Sequence, residues 1–291
     1  MKTILYATDY SENSVAALKY AYKMSKQMGT RLVVTHVFDY PTVLGTVGLD
    51  EPFLHLEESA FKSHRLKLEK FCEEHLGSVW KVPNIQLEAV ENKSVIKGII
   101  SVATEWHAYL IVIGMKGGSV LREMIMGSTT NHLIEKGPCP ILCIPSDASH
   151  VPIKNIVYAT DFEEEDVYAI RKLAEMADQL DAHIHVVHIS TKEEYKGEMQ
   201  MEWFKEMLHK KVTYKRMDFE LLSTEDVFNT LRIYLGDKNA DLMVMLERKH
   251  KSIIKKWFHQ DLVKKMESYG RVPLLSFRGA NHQLFYLSVV L

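Results

Sequence analysis

The feature that most constrains this chain is that it contains itself twice. Laid over one another without gaps at a constant offset of 152, residues 3–37 and 155–189 are identical at 12 of 35 positions. The agreement includes the unbroken run Tyr6-Ala7-Thr8-Asp9 against Tyr158-Ala159-Thr160-Asp161, and most other positions keep their apolar or polar character. The ends of the halves agree too: Leu110–Ile113 matches Leu242–Met245, and Pro138–Ile144 matches Arg271–Phe277. Self-similarity at this spacing means two copies of one folding unit in tandem. The small, polar and proline residues from Pro145 to Pro152 read as a short linker. The expected divisions are residues 1–146, residues 152–278, and a C-terminal tail at 279–291.

Each copy reads as strands alternating with helices. Ile4–Ala7 is a short apolar run, as a strand covered on both faces should be. Thr8, Asp9 and Ser11 offer side-chain caps to a helix start. Apolar residues at Val15, Leu18, Ala21, Tyr22 and Met24 then follow the helical period, and Gly29 stands where a left-handed residue closes the helix. Leu32–Val34 reads as a strand, Glu57–Leu76 as a charged amphipathic helix and Ile85–Val90 as a strand. Ser94 caps a helix running to Glu105, Tyr109–Ile113 is a strand, Ser128–Lys136 a helix and Ile141–Ile144 the last strand. The order predicts an α/β fold class: two tandem open parallel five-stranded sheets, Rossmann-like, with right-handed crossovers and helices on both faces.

Composition excludes some functions. Formal net charge is −2, from 36 basic and 38 acidic side chains, so a nucleic-acid partner, which would want a basic excess, is not expected. No segment approaches the ~20 apolar residues of a spanning helix, and Asp9 comes too early for a secretory apolar region. No membrane partner is expected, and the location expected is cytoplasmic. Cys72, Cys139 and Cys143 are too few for a disulfide framework and read as core residues of a protein in a reducing compartment.

In an open parallel sheet, ligands bind beyond the carboxyl ends of the strands where the winding reverses. Three segments of the first copy end there: Ala7-Thr8-Asp9, His36-Val37-Phe38, and the loop that starts at Gly114. That loop carries Gly114, Gly117, Gly127 and Ser128 in a G-x2-G-x9-G-S frame, between a strand end and a helix start. Glycines permit close backbone approach, successive amides can form an anion nest, and the helix start at Ser128-Thr129 presents unpaired N–H donors. The frame therefore favours phosphate binding over a simple tight turn. Asp9 has two readings of equal weight, ligand contact and helix capping.

These residues, with the closing Gly-Pro-Cys-Pro-Ile-Leu run from Gly137, make the sequence resemble the universal stress protein family in its tandem-domain form. The resemblance covers nearly the whole chain. It implies a sheet of the adenine nucleotide alpha hydrolase-like kind that binds ATP or a related adenine nucleotide, with or without Mg2+. It implies that Asp9 contacts the nucleoside, that the Val37 backbone contacts adenine, and that Gly114, Gly117, Gly127 and Ser128 hold phosphates and ribose. Met115 and Thr129 lie in the same motif. It also implies pairing of last strands, here Ile141–Ile144 with Leu274–Phe277 in an antiparallel, intramolecular pseudo-dimer, with a homodimer also compatible.

The second copy has lost the frame. Leu246 stands for the first glycine, Lys249 for the second, and His259 or Gln260 for the third. Asp161 reads there as a cap, and the basic segment 248–256 as a solvated face. Of His183, His185 and His188, strand alternation sets His188 on the opposite face, and no metal site is expected. No Walker-type lysine and no nucleophile–base pair appear, so no catalytic residue is assigned and hydrolysis is at most slow. The reading is a stress-response regulator that binds nucleotide in the first copy only and has an unidentified protein partner. The alternatives are a nucleotide-independent interaction scaffold and a slow adenine-nucleotide hydrolase. The apolar tail from Leu284 to Leu291 is expected to dock as a strand.

Overall fold

The computed structural model describes residues 1–39, 52–115, 128–148, 152–190, 197–247 and 272–279. In the first repeat the order is β1 (Thr3–Ala7), α1 (Glu12–Gln27), β2 (Arg31–Phe38), α2 (Pro52–Leu76), β3 (Ile85–Glu91), α3 (Val95–Glu105), β4 (Ala108–Met115), α4 (Ser128–Lys136) and β5 (Ile141–Pro145). The second repeat gives β6 (Asn155–Ala159), α5 (Glu164–Leu180), β7 (His183–Ser190), α6 (Gly197–Lys211), β8 (Met217–Ser223), α7 (Val227–Asp237), β9 (Leu242–Glu247) and β10 (Leu274–Arg278). Helix α2 begins five residues before the sequence reading places it, because Pro52 suits a first helical turn that needs no N–H donor there. The tail beyond residue 279 and the segment 248–256 lie outside the described residues.

The strands form one ten-stranded sheet in the order β3-β2-β1-β4-β5-β10-β9-β6-β7-β8. Within each repeat the pairing is parallel, and the winding reverses between β1 and β4, and again between β6 and β9. The repeats join where β10 runs antiparallel to β5, with Leu274 opposite Cys143, Leu275 opposite Leu142 and Ser276 opposite Ile141. The sequence reading has two five-stranded sheets; the pairing of their last strands makes them one. An unpaired apolar edge exposes a row of N–H and C=O groups, and this seam satisfies two such edges at once.

Alternation along each strand decides which helices cover it. Ile4 and Tyr6 of β1 pack with Leu18, Ala21 and Met24 of α1 and with Leu68 and Cys72 of α2. Leu5 packs on the other face with Ile99 and Val102 of α3 and Leu133 of α4. The first of these cores is continuous across the seam, taking in Leu142, Leu275, Ile156 and Tyr158. All three cysteines are buried and free, and burial pushes each thiol up to about 12, so they are packing residues as expected.

Both repeats make the same turn after their first strand. The Tyr10 N–H donates to Thr8 Oγ1 at 3.0 Å, and the Phe162 N–H donates to Thr160 Oγ1 at 2.8 Å. Tyr10 and Phe162 take left-handed backbone, with φ of 64° and 58°. An imidazole from the second strand braces each turn. His36 Nδ1 lies 2.9 Å from the Thr8 carbonyl and His188 Nδ1 2.7 Å from that of Thr160. A carbonyl only accepts, so Nδ1 carries the proton in both rings.

The repeats differ just after this turn. Ser14 of α1 corresponds to Asp166 of α5. Asp166 is fully buried and accepts from Tyr158 Oη at 2.7 Å, Thr160 Oγ1 at 2.9 Å, and the backbone N–H groups of Asp161 and Glu163 at 3.3 and 3.2 Å. Removing it strands several buried donors. Asp166→Ala is expected to lower stability by about 3 kcal/mol, read as a drop in the urea midpoint. Asp166→Ser, which restores the sister residue, is expected to lose less.

Candidate functional site

The first repeat has a cleft of about 380 Å³ at its switch point, a volume in the range of small-molecule sites. Its floor is the carboxyl ends of β1, β2 and β4: Ala7 to Asp9, Thr35 to Val37, and Ile113 to Met115. One wall is the start of α1, with Ser11, Asn13 and Ser14. The other walls are Val95 and Ile99 of α3 and Thr129 and Thr130 of α4. Of the residues expected from sequence, Asp9, Val37, Gly114, Met115 and Thr129 come together here. Ser128 opens α4 and is exposed, and its carbonyl lies 2.7 Å from His132 Nδ1. Gly117 and Gly127 lie outside the described residues.

Gly114 allows a close backbone approach, here against the protein's own α1. It does not have positive φ; instead a Cβ there would lie 2.5 Å from the Asn13 carbonyl oxygen and 3.0 Å from Ser14 Cα. The residue lets the end of β4 touch the first turn of α1. In the second repeat its counterpart Leu246 carries a buried side chain into the same core as Phe277. Met115 is itself 4% exposed and paired with Pro145, so its side chain packs beneath the cleft.

Asp9 is exposed at the mouth. Its Oδ1 accepts from the Ser11 N–H at 3.0 Å and from Ser11 Oγ at 2.6 Å, so it organises the entry to α1. Val37 packs its side chain on α3, where a Cβ on Gly98 would come within 2.6 Å of Val37 Cγ1. The main chain of Val37 is set by alternation. The Thr35 carbonyl accepts from Thr8 on the β1 side, and the Phe38 carbonyl accepts from Asn92 on the β3 side. Val37 therefore turns its N–H and C=O towards the β1 side, past Ala7, the last residue of β1 in register with β2.

Sequence reasoning missed a column of rings behind this floor. Tyr10 contacts His36 at 4.3 Å between centroids, His36 stacks on His64 at 5.6 Å, and His64 stacks on Phe38 at 3.9 Å. Lys67 places its ammonium 4.3 Å above the Tyr10 ring. Burial lowers the pKa of His36, and nearby His64 and Lys67 lower it further; burial and Lys67 lower that of His64. The signal available in sequence was the ring content of α2, but its alignment against β2 is a tertiary fact.

Comparison with known proteins places this architecture. The sequence profile of the universal stress protein family matches residues 1–145 and 152–259. The chain belongs to the universal stress protein family. A universal stress protein of Methanocaldococcus jannaschii is 26% identical over 156 residues, which is 49% of this chain and 94% of the relative. One from Thermus aquaticus is 29% identical over 144 residues, 49% of this chain and 98% of its own length. Each of these single-repeat relatives thus matches half of the chain. The crystal structure of a universal stress protein from Archaeoglobus fulgidus covers 95% of this chain and 98% of its own, at a TM-score of 0.65 and 16% identity, and so shares the fold over both repeats. No helix among the described residues is long and apolar enough to cross a membrane.

The ring column gives this universal stress protein a pH dependence whose sign follows from the shifts. Folding favours neutral His36 and His64, so the stability they contribute is present above the ordinary imidazole value of 6.5 and is lost as pH falls below it. Scanning calorimetry between pH 7.5 and 5 should show Tm falling on acidification. His64→Phe keeps the stack and removes one titrating ring, so its Tm should fall less steeply over the same interval.

Proposed function

We propose that the first repeat binds ATP or a related adenine nucleotide and that the second serves as the interaction half of a cytoplasmic stress-response regulator. The observation that carries this reading is the cleft at the β1/β4 switch point, which opens where the Gly114-Gly117-Gly127-Ser128 frame begins. An adenine edge needs one donor and one acceptor side by side, and the Val37 N–H and C=O face the cleft as such a pair. Asp9, at the mouth, would accept from ribose hydroxyls. Phosphates would lie against the glycine loop and the start of α4, where Ser128, Thr129 and the helix N–H groups supply donors and Mg2+ would share the charge. Leu246, standing where Gly114 lets strand and helix touch, is the reason to assign no nucleotide to the second repeat. The chemistry in this reading is binding, with at most slow hydrolysis.

Calorimetric titration of the full chain with ATP should give one site per chain. At 100 times Kd the nucleotide stabilises by about 2.7 kcal/mol, seen as a rise in Tm. Gly127→Val should abolish binding and that rise while the protein stays folded, and Asp9→Ala should weaken affinity about tenfold, the worth of one hydrogen bond near a charged group. Two equivalent sites, or no binding of any adenine nucleotide, would overturn the assignment. Phosphate release above the Gly127→Val background would make the repeat an ATPase instead.

A further inference from the structure

The pairing of β7 with β8 assembles a side-chain cluster in the second repeat that the nucleotide reading does not use. His183 and His185 project from one face of β7, and the parallel register sets Asp218 of β8 directly beside His185. Asp218 Oδ2 lies 3.1 Å from His183 Nε2, and both carboxylate oxygens lie 3.0 Å from His185 Nδ1. The imidazole centroids are 4.6 Å apart with the rings tilted by 39°. One nitrogen from each ring and one carboxylate oxygen all lie within 4.8 Å of one another.

The first repeat acts as an internal control. Its strands β2 and β3 pair in the corresponding register, and there the same three positions are Arg31, Val33 and Gln86. Strand pairing therefore does not require imidazoles or a carboxylate at this place. The neighbouring charges are matched among themselves: Lys238, which follows α7, pairs with Glu220, two residues along β8, and Arg216, which precedes β8, pairs with Asp181. Asp218 is left facing the two imidazoles.

We propose that His183, His185 and Asp218 bind a divalent transition-metal ion of the zinc class. Two imidazole nitrogens and one carboxylate oxygen are a donor set suited to zinc, nickel or copper rather than to calcium or magnesium. Bonds of about 2.0–2.1 Å in a tetrahedron put neighbouring ligand atoms about 3.3 Å apart, close to the 3.0 and 3.1 Å already present between carboxylate and rings. His185 is the sheltered ligand, its side chain 12% exposed, while His183 and Asp218 are 38% and 44% exposed. That side stands open to water, which would complete the coordination. Binding replaces two ring N–H contacts to the carboxylate, so each ring must turn an unprotonated nitrogen inward and the metal competes with protons for it. The proposal is independent of whether the first repeat holds a nucleotide.

The test uses the full chain, freed of metal by chelator and titrated with zinc chloride at pH 7.5 in a non-coordinating buffer. One zinc per chain is expected with submicromolar affinity, weakened at least tenfold in Asp218→Asn and in His185→Val, which installs the sister residue. Zinc-edge X-ray absorption on the one-equivalent wild-type complex should show imidazole scattering and first-shell ligands at about 2.0–2.1 Å. Zinc held no more tightly than about millimolar, equal affinity in either folded variant, or a sulfur-containing first shell would overturn the proposal. If both variants unfold, the wild-type absorption spectrum still decides it.

Discussion

Everything else in this molecule depends on how the open edge of a parallel sheet is closed. A five-stranded unit of this winding ends on an apolar last strand, Ile141–Pro145 in one repeat and Leu274–Arg278 in the other. Left open, each would present unpaired backbone groups on a hydrophobic ribbon. Pairing them antiparallel removes both edges and places Leu275 beside Leu142 in a core that runs through both repeats. Among the described residues the remaining sheet edges are β3 and β8, whose residues are mostly half-buried. Tandem fusion thus makes within one chain a contact that separate single-repeat chains would have to make by association.

That symmetry separates what the scaffold needs from what a site needs. The bracing turn is kept in both copies: threonine, left-handed aromatic, and an imidazole from the second strand. So is the left-handed helix end, as Gly29 in one copy and Asp181 in the other. What changes lies at the strand ends. Where α1 has Ser14 and room for a cleft, α5 has Asp166, which binds the turn to the helix start through four accepted hydrogen bonds. Where β4 has Gly114, β9 has Leu246 packed into the core. The second repeat thus keeps the fold while two residues at its strand ends differ in kind from those of the first.

Much of this was legible in the sequence because it depends on local patterns. Apolar runs, helical periodicity and the offset of 152 define the elements and the duplication, and the sequence limits Ser128–Lys136 are those of α4. The rule for open sheets needs only strand ends, and it groups Asp9, Val37 and Gly114 from sequence; Met115 and Thr129 follow only from the family motif. What was not legible depends on register between distant elements. Nothing in residues 58–76 says that His64 lies against Phe38 and His36, and nothing in β7 says that Asp218 lies across from His185. Gly114 stands out in the sequence by its place in the frame, and the contact with Asn13 shows which close approach it serves, that of β4 against the first turn of α1. Asp9 has two readings from sequence; its bonds to Ser11 shape the turn before α1 rather than cap the helix, and they leave the mouth open to a ligand.

The antiparallel seam also decides how the two proposed sites are related. Because β10 runs opposite to β5, every strand of the second repeat points against those of the first. The starts of β7 and β8, where His183, His185 and Asp218 lie, therefore face the same side of the sheet as the ends of β1 and β4. Five strand spacings separate β4 from β7 in the sheet order, about 24 Å at the usual interval between strands. A nucleotide phosphate cannot reach a metal at that distance, so the metal would not serve as the nucleotide's counter-ion. The sheet that links them is hydrogen-bonded from strand to strand across that distance. The two proposed sites would therefore be separate inputs at one end of the sheet rather than one composite active site.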